Sequence, residues 1–548
     1  MRKKVVLRNL DSHATADYNE SFYMEPSLQA EEPPLTAGGV VETLGKLREA
    51  IWRRRPILGE ILQKHGEKSL SRYAQDFFDV NPLPDSITSR RPELIAVVEE
   101  QVAAKLGKER GAAVAKQLSE FQLVSTADHH AIIDNPYWVN ANIITALPCV
   151  HHQEDKMPTI VVFSFASVSL NNASGFPRGI EFHGGLGGQG PIVRLPILPD
   201  KLKMGTVYGM RGYTKEDIGN ALRLLKEREK AGDVVPEKAA MVRELLEGPL
   251  SADDVFAQPD LCSQITLINH RLWPQLFHAP GSKDAAPDMP ALLYLDIETL
   301  VTELLHRHHL HNPKSLVHRA LFDSTFLQPI LDGFNGIPGA FCLDDGSGTF
   351  FFWAVDDKFH RVRLSLKDGA LRSSHGTVNI PMNPEAVAQA LRDKKIFPST
   401  ALCYLMVALY YGFKCLGGFC QVHDLTVLKQ AWQKILETVG EGEEAKAIEP
   451  LQTKEMNAGG MMLTFWRTSP EHLTIPTGID MLLERSMDTR PELYAKLADD
   501  ISLDVSMQPM LPGAYTVFYS LNEREINTSA LTFENVLHST GLYKKYIV

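Results

Sequence analysis

The clearest hydrophobic pattern in the chain is the almost wholly apolar run Ala401–Phe413. It is too short to span a bilayer and indicates a buried core segment. Gly417 and Gly418 follow and predict a turn, and a helical pattern begins at Thr426. Because backbone near glycine can approach a ligand closely, this turn and the polar residues after it, Gln421, His423 and Asp424, are candidates for a pocket wall. The alternative is an ordinary turn after a core helix.

The spacing of apolar positions elsewhere predicts alternating helices and strands. Helices are predicted over 40–64, over 91–121 as two amphipathic helices, over 214–248 as a charged solvent-facing pair, over 384–393 and over 401–411. Strands are predicted over 159–170, at the start of 290–305, within 341–371 and in the tail pieces MMLTFW and YTVFYSL, whereas 184–199 is predicted to be a glycine- and proline-rich loop. Strands that alternate with helical patterns favour an α/β fold.

Length and composition restrict the class of protein. A chain of 548 residues is long enough for about two to four domains. The net charge of −11 argues against a nucleic-acid partner, and no apolar stretch is long enough for a membrane span. The N-terminus lacks the apolar core of a signal peptide, and the six cysteines are sparse. These features predict a cytoplasmic protein with reduced thiols.

A first polar cluster begins at Ser125 and includes Asp128, His129 and His130, ahead of a helical pattern that contains Asn140. We expect Asp128 to be the N-cap of that helix, whose N-terminus would attract an anion. The two histidines would then contact a phosphate or carboxylate, or transfer protons. The alternative is a capped helix with one surface and one packed histidine.

A second polar cluster directly follows the predicted strand 159–168. Ser169, Asn171 and Asn172 stand there, and Arg178 and His183 follow within reach. Ligands of open α/β sheets bind at the carboxyl ends of the strands, so this loop is a candidate site, although a turn chosen for its backbone geometry has the same composition.

Two further motifs are less specific. The glycine-rich segment 183–190 is neither a Walker A motif nor a dinucleotide fingerprint, and it indicates a mobile loop, with a lid as the alternative. Cys415, Cys420 and His423 have ligand-like spacing, and histidines crowd 306–318, but neither set has the spacing of a zinc finger or an HExxH motif. A polar helix face explains the histidines, and no metal ligands are assigned.

Three regions together resemble a known family. Residues 125–147 (STADHHAIIDNPYWVNANIITAL) and 159–170 (TIVVFSFASVSL) have the order strand, loop, helix and second strand. Residues 341–398 combine short strands, a KDG turn and a helix, and 399–428 combine an apolar helix, a Gly-Gly turn and a polar helix. Over roughly residues 120–430 this order resembles the bacillithiol biosynthesis cysteine-adding enzymes, which are similar in length.

The resemblance has departures in the loops. The family's glutamine-glutamine-proline-glycine loop appears as Asp128-His129-His130-Ala131, and its acidic-histidine-acidic loop as Ser169-Leu170-Asn171-Asn172. A glycine-glutamate pair appears as Cys420-Gln421, and the expected C-terminal coiled coil is not evident in 430–548. A shared scaffold with different chemistry is therefore one interpretation.

What the resemblance implies is an α/β, Rossmann-like core of the nucleotidyltransferase type, with inserted helical and small β connecting segments. The implied activity is that of a biosynthetic ligase that joins an amino acid, cysteine in the family, to an amine-bearing small molecule. A nucleotide-sized pocket makes ATP or another nucleotide the candidate cofactor. Amide formation needs a base, an anchor for a carboxylate or phosphate, and shelter from water. The candidate catalytic residues are His129, His130 and His423; the candidate substrate-binding residues are Ser125, Asp128, Asn140, Ser169, Asn171, Asn172, Arg178, Gly417, Gly418 and Gln421.

The expected organisation follows from these assignments. The segments are an N-terminal arm (1–37), a first part of the core (38–200), a helical insertion (201–260), a second part of the core (261–335), a small β-containing insertion (336–398) and final core helices with a C-terminal α/β region (399–548). We expect 122–172 and 399–428 to face a common cleft. A metal-dependent hydrolase or redox enzyme and a non-catalytic binding protein are the alternatives, and a homodimer is left open.

Overall fold

A parallel five-stranded sheet lies at the centre of the chain. The computed structural model describes residues 36–133, 135–151, 157–172, 174–277, 289–458, 466–467, 473–484 and 491–544. The strands are β1 Leu123–Ser125, β2 Thr159–Ser164, β3 Gly179–His183, β4 Ile192–Pro196, β5 Ala291–Asp296, β6 Phe352–Val355, β7 Arg361–Arg363, β8 Ser365–Lys367, β9 Ala370–Arg372, β10 Asn379–Pro381, β11 Ile396–Pro398, β12 Lys414–Gly418, β13 Met456–Ala458, β14 Trp466–Arg467 and β15 Leu473–Thr474.

Helices surround this sheet. They are α1 Ala37–Arg54, α2 Pro56–His65, α3 Leu70–Gln75, α4 Asp85–Thr88, α5 Arg91–Leu106, α6 Lys108–Glu120, α7 Pro136–His151, α8 Lys215–Ala231, α9 Pro236–Glu247, α10 Asp253–Phe256, α11 Leu261–Leu272, α12 Ile297–Leu304, α13 Leu316–Phe322, α14 Ser324–Gly333, α15 Pro384–Arg392, α16 Thr400–Tyr404, α17 Phe419–Thr438, α18 Gly442–Ala447, α19 Gly478–Leu483, α20 Pro491–Asp500, α21 Leu503–Met507, α22 Leu511–Phe518 and α23 Phe533–Ser539. Two helices continue as π-helical turns, α12 into Leu305–His309 and α16 into Leu405–Tyr410. None of the described helices is long and apolar enough to cross a bilayer.

The order of the central sheet is β13-β12-β1-β2-β5, and all its neighbours are parallel. In chain order this is fifth, fourth, first, second, third, the arrangement of a Rossmann-like sheet. The strand order reverses between β1 and β12, and a crevice opens there at the carboxyl ends. The predicted α/β class with a Rossmann-like core is confirmed at this level.

Alternation along the strands separates two apolar clusters, one on each face of the sheet. Ile160 and Val162 of β2 belong to one cluster, whereas Val161 and Phe163 belong to the other. Every residue of β2 is buried. A strand covered by helices on both faces is continuously apolar, which is why the run from Thr159 was recognisable as a core strand.

The segment predicted to be a helical insertion, 201–260, is helical and contributes nothing to the central sheet. Its helix α8 begins with a capping box between Thr214 and Asp217 and ends at Gly232, whose φ of 81° provides the left-handed C-cap. Ile218 and Leu225 of α8 belong to the same apolar cluster as β2, so the segment packs onto the core.

Several local predictions were wrong. The interval 184–199 contains strand β4, which pairs with β3 as an antiparallel hairpin. Gly417 and Gly418 are not a turn; they end the central strand β12, and helix α17 begins at Phe419 instead of Thr426. Residues 515–518, predicted as strand, belong to helix α22, because an apolar run of this length has no distinctive period. Most of the predicted N-terminal arm and of the piece MMLTFW lies outside the described residues.

The predicted small β insertion forms two antiparallel three-stranded sheets, in the orders β11-β6-β7 and β10-β9-β8. The KDG turn joins β8 and β9, with Asp368 and Gly369 both at positive φ. This insertion lies between β5 and β12 in sequence, so it leaves and re-enters the core beside the crevice.

Candidate functional site

A cavity of about 300 Å³ opens at the carboxyl ends of the strands where the strand order reverses. Thr126 and Ala127, which follow β1, line one side, and Gly418 and Gln421 at the β12–α17 junction line another. Both segments expected to face a common cleft therefore contribute to it. The volume is at the lower end of the range for small-molecule sites, roughly 300–1,000 Å³.

Gln421 connects the two central strands across the cavity wall. Its Nε2 donates to Thr126 Oγ1 at 2.6 Å, and the Thr126 backbone N–H donates to Leu416 O at 2.8 Å. A Cβ on Gly417 would lie 2.1 Å from Gln421 Cδ, so glycine is required there for the amide to fold back over the strand. Gly417 therefore makes room for a side chain, whereas Gly418 lines the cavity.

His129 is the one predicted catalytic residue that lines the cavity. Its Nδ1 lies 3.1 Å from Asn172 Oδ1, an oxygen that also accepts from the Ser174 backbone N–H. Because that oxygen is an acceptor, Nδ1 carries the proton and the neutral ring has its lone pair on Nε2. Trp138 packs edge-on against the ring at 5.0 Å between centroids. His129 is therefore held in one tautomer, as a general base requires.

Asp424 of α17 supplies an acidic group to the same cavity. Its Oδ1 lies 3.6 Å from Arg55 Nη1 and makes no hydrogen bond. Burial raises the pKa of Asp424 to about 6, and the charge of Arg55 opposes the shift. The carboxylate is thus ionised at neutral pH but incompletely compensated, a state that favours a cationic ligand.

Arg361 of β7 is the one cationic side chain among the described residues that line the cavity. Its guanidinium lies 4.5 Å from the ring centroid of Trp353 on the neighbouring strand β6. Stacking of this kind orients the planar group, which matches a carboxylate or phosphoryl group in geometry. The small β insertion thereby contributes an anion-binding group to a site built on the central sheet.

The loop after β2 is fixed from behind by Glu298. Its two carboxylate oxygens accept from the backbone N–H groups of Ala166 and Ser167, at 2.9 and 3.0 Å. Ser167 lines the cavity, whereas Glu298 is fully buried, and burial raises its pKa to about 7. Glu298 positions the wall without contacting the cavity.

Two of the predicted catalytic residues do not line the cavity. His130 is fully buried and hydrogen-bonded to Ser164 Oγ at 2.7 Å and to Cys262 O at 2.9 Å, and burial lowers its pKa. His423 is half-buried on α17, where burial and Arg55 lower its pKa to about 4. Both were wrongly placed because neighbouring residues on a chain point in different directions.

Most of the predicted substrate-binding residues have structural partners elsewhere. Asp128 is not a helix cap, since α7 begins at Pro136; it is fully buried, and burial raises its pKa to about 7. The remaining residues that do not line the cavity are Ser125, which accepts from Asn457; Asn140, which donates to Pro136 O; Ser169, which pairs with Thr206; the exposed Asn171; and Arg178, which forms an ion pair with Asp200. His129, Gly418 and Gln421 are the predicted residues that line it, with Asn172 and Gly417 in direct support.

The other motifs are structural in the described part of the chain. The glycine-rich segment is held by a hydrogen bond from the Gly187 N–H to Glu484, and a Cβ on Gly188 would lie 2.5 Å from the Thr474 side chain. These contacts give the segment a packing role against residues 474–484. No three His, Cys, Asp or Glu side chains gather as metal ligands among the described residues, and His309 is buried between Ser315 and Tyr411.

Three residues that were not assigned catalytic or binding roles from the sequence line the cavity: Trp138, Arg361 and Asp424. Asp424 stands beside the predicted His423, and a helix starting at Phe419 would have placed the acid on the cavity face. Arg361 had no sequence signal, because its contribution depends on how an insertion folds over the sheet.

No protein-family model matches the chain, and no curated protein sequence is significantly similar to it. The function therefore has to be inferred from the geometry of this cavity.

Proposed function

We propose that the protein is a biosynthetic enzyme that forms a C–N bond between an amino acid and a small amine-bearing molecule. The observation that carries the proposal is the meeting of His129, Asp424 and Arg361 in one cavity at the carboxyl ends of the central strands. A base, an anion partner and a cation partner are the groups this reaction needs. The resemblance to the cysteine-adding enzymes supports cysteine or a similar amino acid, and a core of the nucleotidyltransferase type.

Each of the three residues has a role in the proposal. Arg361 binds the carboxylate or acyl phosphate of the amino acid, and Asp424 binds the ammonium group of the acceptor. His129 Nε2 first accepts a proton from the ammonium group, which frees the nitrogen lone pair to attack the activated carbonyl carbon. The new C–N bond forms, the C–O bond to the activating group breaks, the electron pair leaves with that group, and the nitrogen gives its second proton to the departing group.

The activating co-substrate is expected to be ATP or another nucleotide. One cation among the described lining residues does not match a triphosphate held by side chains alone. A single carboxylate or phosphoryl group fits Arg361 better, so the nucleotide would present only its reacting end to this cavity.

The cellular setting is part of the proposal. None of the six cysteines, all of which are described, forms a disulfide, and five have pKa values or burial typical of structural thiols. This supports a reducing, cytoplasmic compartment and a small-molecule substrate. A homodimer remains an expectation from the sequence.

The test is a condensation assay with the full chain. L-cysteine is incubated with a panel of small primary amines, with and without ATP, and mass spectrometry detects a product equal to the sum of the reactants minus one water. Replacing His129 by Gln should lower kcat on the order of a hundredfold or more, and Asp424→Asn should mainly raise the KM for the amine. His375→Gln, at an exposed histidine, is the matched control.

Two outcomes would contradict the proposal. Absence of product with every amine, with and without ATP, would reject C–N bond formation with cysteine. Full turnover of the His129→Gln variant would remove the base from the mechanism. Saturable ligand binding with no product would instead support the non-catalytic alternative.

A further inference from the structure

A buried polar cluster around Asp128 and Asn457 lies between α7 and the carboxyl end of the sheet, next to the residues that line the cavity. Asp128 stands between Ala127 and His129, both of which line the cavity. Its Oδ2 accepts from the Tyr294 hydroxyl and, at 2.9 Å, from Asn142 Nδ2. The other carboxylate oxygen, Oδ1, is buried and has no hydrogen bond.

Asn457 forms the adjoining half of this cluster. It precedes Ala458, which lines the cavity, and its Nδ2 donates to Ser125 Oγ and Thr145 Oγ1, both at 3.1 Å. The Thr145 hydroxyl donates to Ala141 O at 2.8 Å, so it can only accept from Asn457. This fixes the orientation of the amide and leaves Asn457 Oδ1 as a second buried acceptor without a hydrogen bond.

The two halves meet on one face of α7. Asn142 and Thr145 are three residues apart on the helix, which places their side chains about 5–6 Å from each other. Asn142 Oδ1 is also buried without a hydrogen bond, because its Nδ2 is directed at the Asp128 carboxylate. Asp128, Asn142 and Asn457 are all fully buried, so each of these three oxygens lacks both a hydrogen-bond partner and contact with solvent.

We propose that a monovalent cation, Na⁺ or K⁺, binds between α7 and the sheet with Asp128 Oδ1, Asn142 Oδ1 and Asn457 Oδ1 as ligands. Carboxylate and amide oxygens are the ligands of hard cations, and a buried carboxylate without a countercharge is costly. The cluster contains one carboxylate, and its other members are neutral, so one positive charge balances it.

The cation would stabilise the loop that carries His129. The Asp128 carbonyl accepts from the Phe165 N–H at 2.9 Å, and the Phe165 carbonyl accepts from the His130 N–H at 2.8 Å. A ligand on the Asp128 side chain therefore ties the loop after β1 to the end of β2. The inference does not depend on the proposed reaction, because it rests on the cluster alone.

The experiment measures cation-dependent stability of the full chain. The protein is exchanged into tetramethylammonium chloride, and NaCl or KCl replaces this salt at constant ionic strength while the melting temperature is followed. The expected result is a saturable rise in Tm with at least one of the two ions. The rise should be lost in Asp128→Asn and retained in Asp200→Asn, the matched control whose side chain is 73% exposed.

The variants also separate a cation from an ordered water. A water would satisfy the same oxygens but would give equal melting temperatures in the three salts, and that result would overturn the proposal. An equal cation response in wild type and Asp128→Asn would also overturn it. Should Asp128→Asn fail to fold, the wild type and Asn457→Leu are titrated with NaCl and KCl by calorimetry. The site is refuted if the wild type shows no heat of binding, or if Asn457→Leu shows the same heat of binding as the wild type.

Discussion

Replacing Lys238 by methionine should destabilise the protein by about 3–5 kcal/mol, the cost of leaving a buried charge without its partner. Lys238 of α9 is fully buried, and its Nζ donates to Asp480 Oδ1 at 2.7 Å and to Glu484 Oε1. Asp480 also accepts from His183, through Nδ1 at 2.6 Å and through the backbone N–H at 3.0 Å. Because methionine is similar to lysine in volume, the loss of stability in this variant reflects the missing charge more than a change in packing.

The charge balance of the network determines the sign of the pH dependence. Burial would raise the pKa of Asp480, but the hydrogen bond from His183 and the charge of Lys238 hold it below its ordinary value. Without Lys238, Asp480 remains buried but loses a positive charge that lowers its pKa, so its pKa rises. The folded variant then binds more protons than the folded wild type at the same pH, so the stability deficit of the variant should shrink as the pH falls from 7 towards 5.

The assay is urea denaturation at pH 7 and pH 5, with Lys215→Met as the matched control. Lys215 also pairs with an aspartate, Asp253 at 3.5 Å, but these side chains are 76% and 97% exposed. The control should therefore change the unfolding free energy by less than about 1 kcal/mol. Equal midpoints for the two variants at pH 7, or a Lys238→Met deficit that grows on acidification, would refute the reasoning.

Two further pairs of variants test the assignments around the cavity. His130→Ala should lose about 2–4 kcal/mol of stability, because it leaves a cavity and unpaired buried groups, whereas His129→Ala should lower the melting temperature little and abolish the activity. Denaturation curves of both variants test this, and a stable His130→Ala would return that residue to the list of site candidates. Gly417→Ala should displace the Gln421 side chain at a cost of about 1 kcal/mol, while Gly418→Ala should be nearly neutral because the nearest atom to its new Cβ is 3.8 Å away. Equal melting temperatures for the two variants would show that the position of the Gln421 amide does not depend on Gly417.

The sequence predicted two kinds of element well: helices whose apolar periodicity continues over many residues, and strands that are completely buried. The two amphipathic helices over 91–121 and the strand at Thr159 were identifiable because their apolar spacing is decided locally. Strand β12 was missed because its last residues are Leu-Gly-Gly, a composition typical of turns. Gly417 is required by the Gln421 side chain of the following helix, a contact that no local pattern contains.

The candidate site also contains residues that local sequence patterns indicate and residues that only tertiary contacts bring to the cavity. His129 was singled out because a polar cluster with two adjacent histidines ahead of a helical pattern is a local signal, and the structure places it after a strand, where Rossmann-like sheets bind ligands. His130 and Asp128 belong to the same cluster but lie behind the wall, since successive side chains diverge and only tertiary structure decides which one faces the cavity. Arg361 lies about 200 residues after β2 in sequence, in an insertion that precedes the return of the chain to the central sheet at β12.

The residues that line the cavity come from separate segments of the chain, and this affects how the specificity of the site is determined. The loop after β1 supplies Thr126 and His129, and the first turn of α17 supplies Gln421; hydrogen bonds between Gln421 and Thr126 and between His129 and Asn172 fix their positions. Of the charged groups, Arg361 comes from the small β insertion, and Asp424 lies further along α17, where Arg55 of the N-terminal helical region moderates its charge. A change in the insertion or in the α1–α2 region would therefore alter which charges the cavity accepts while leaving the base in place.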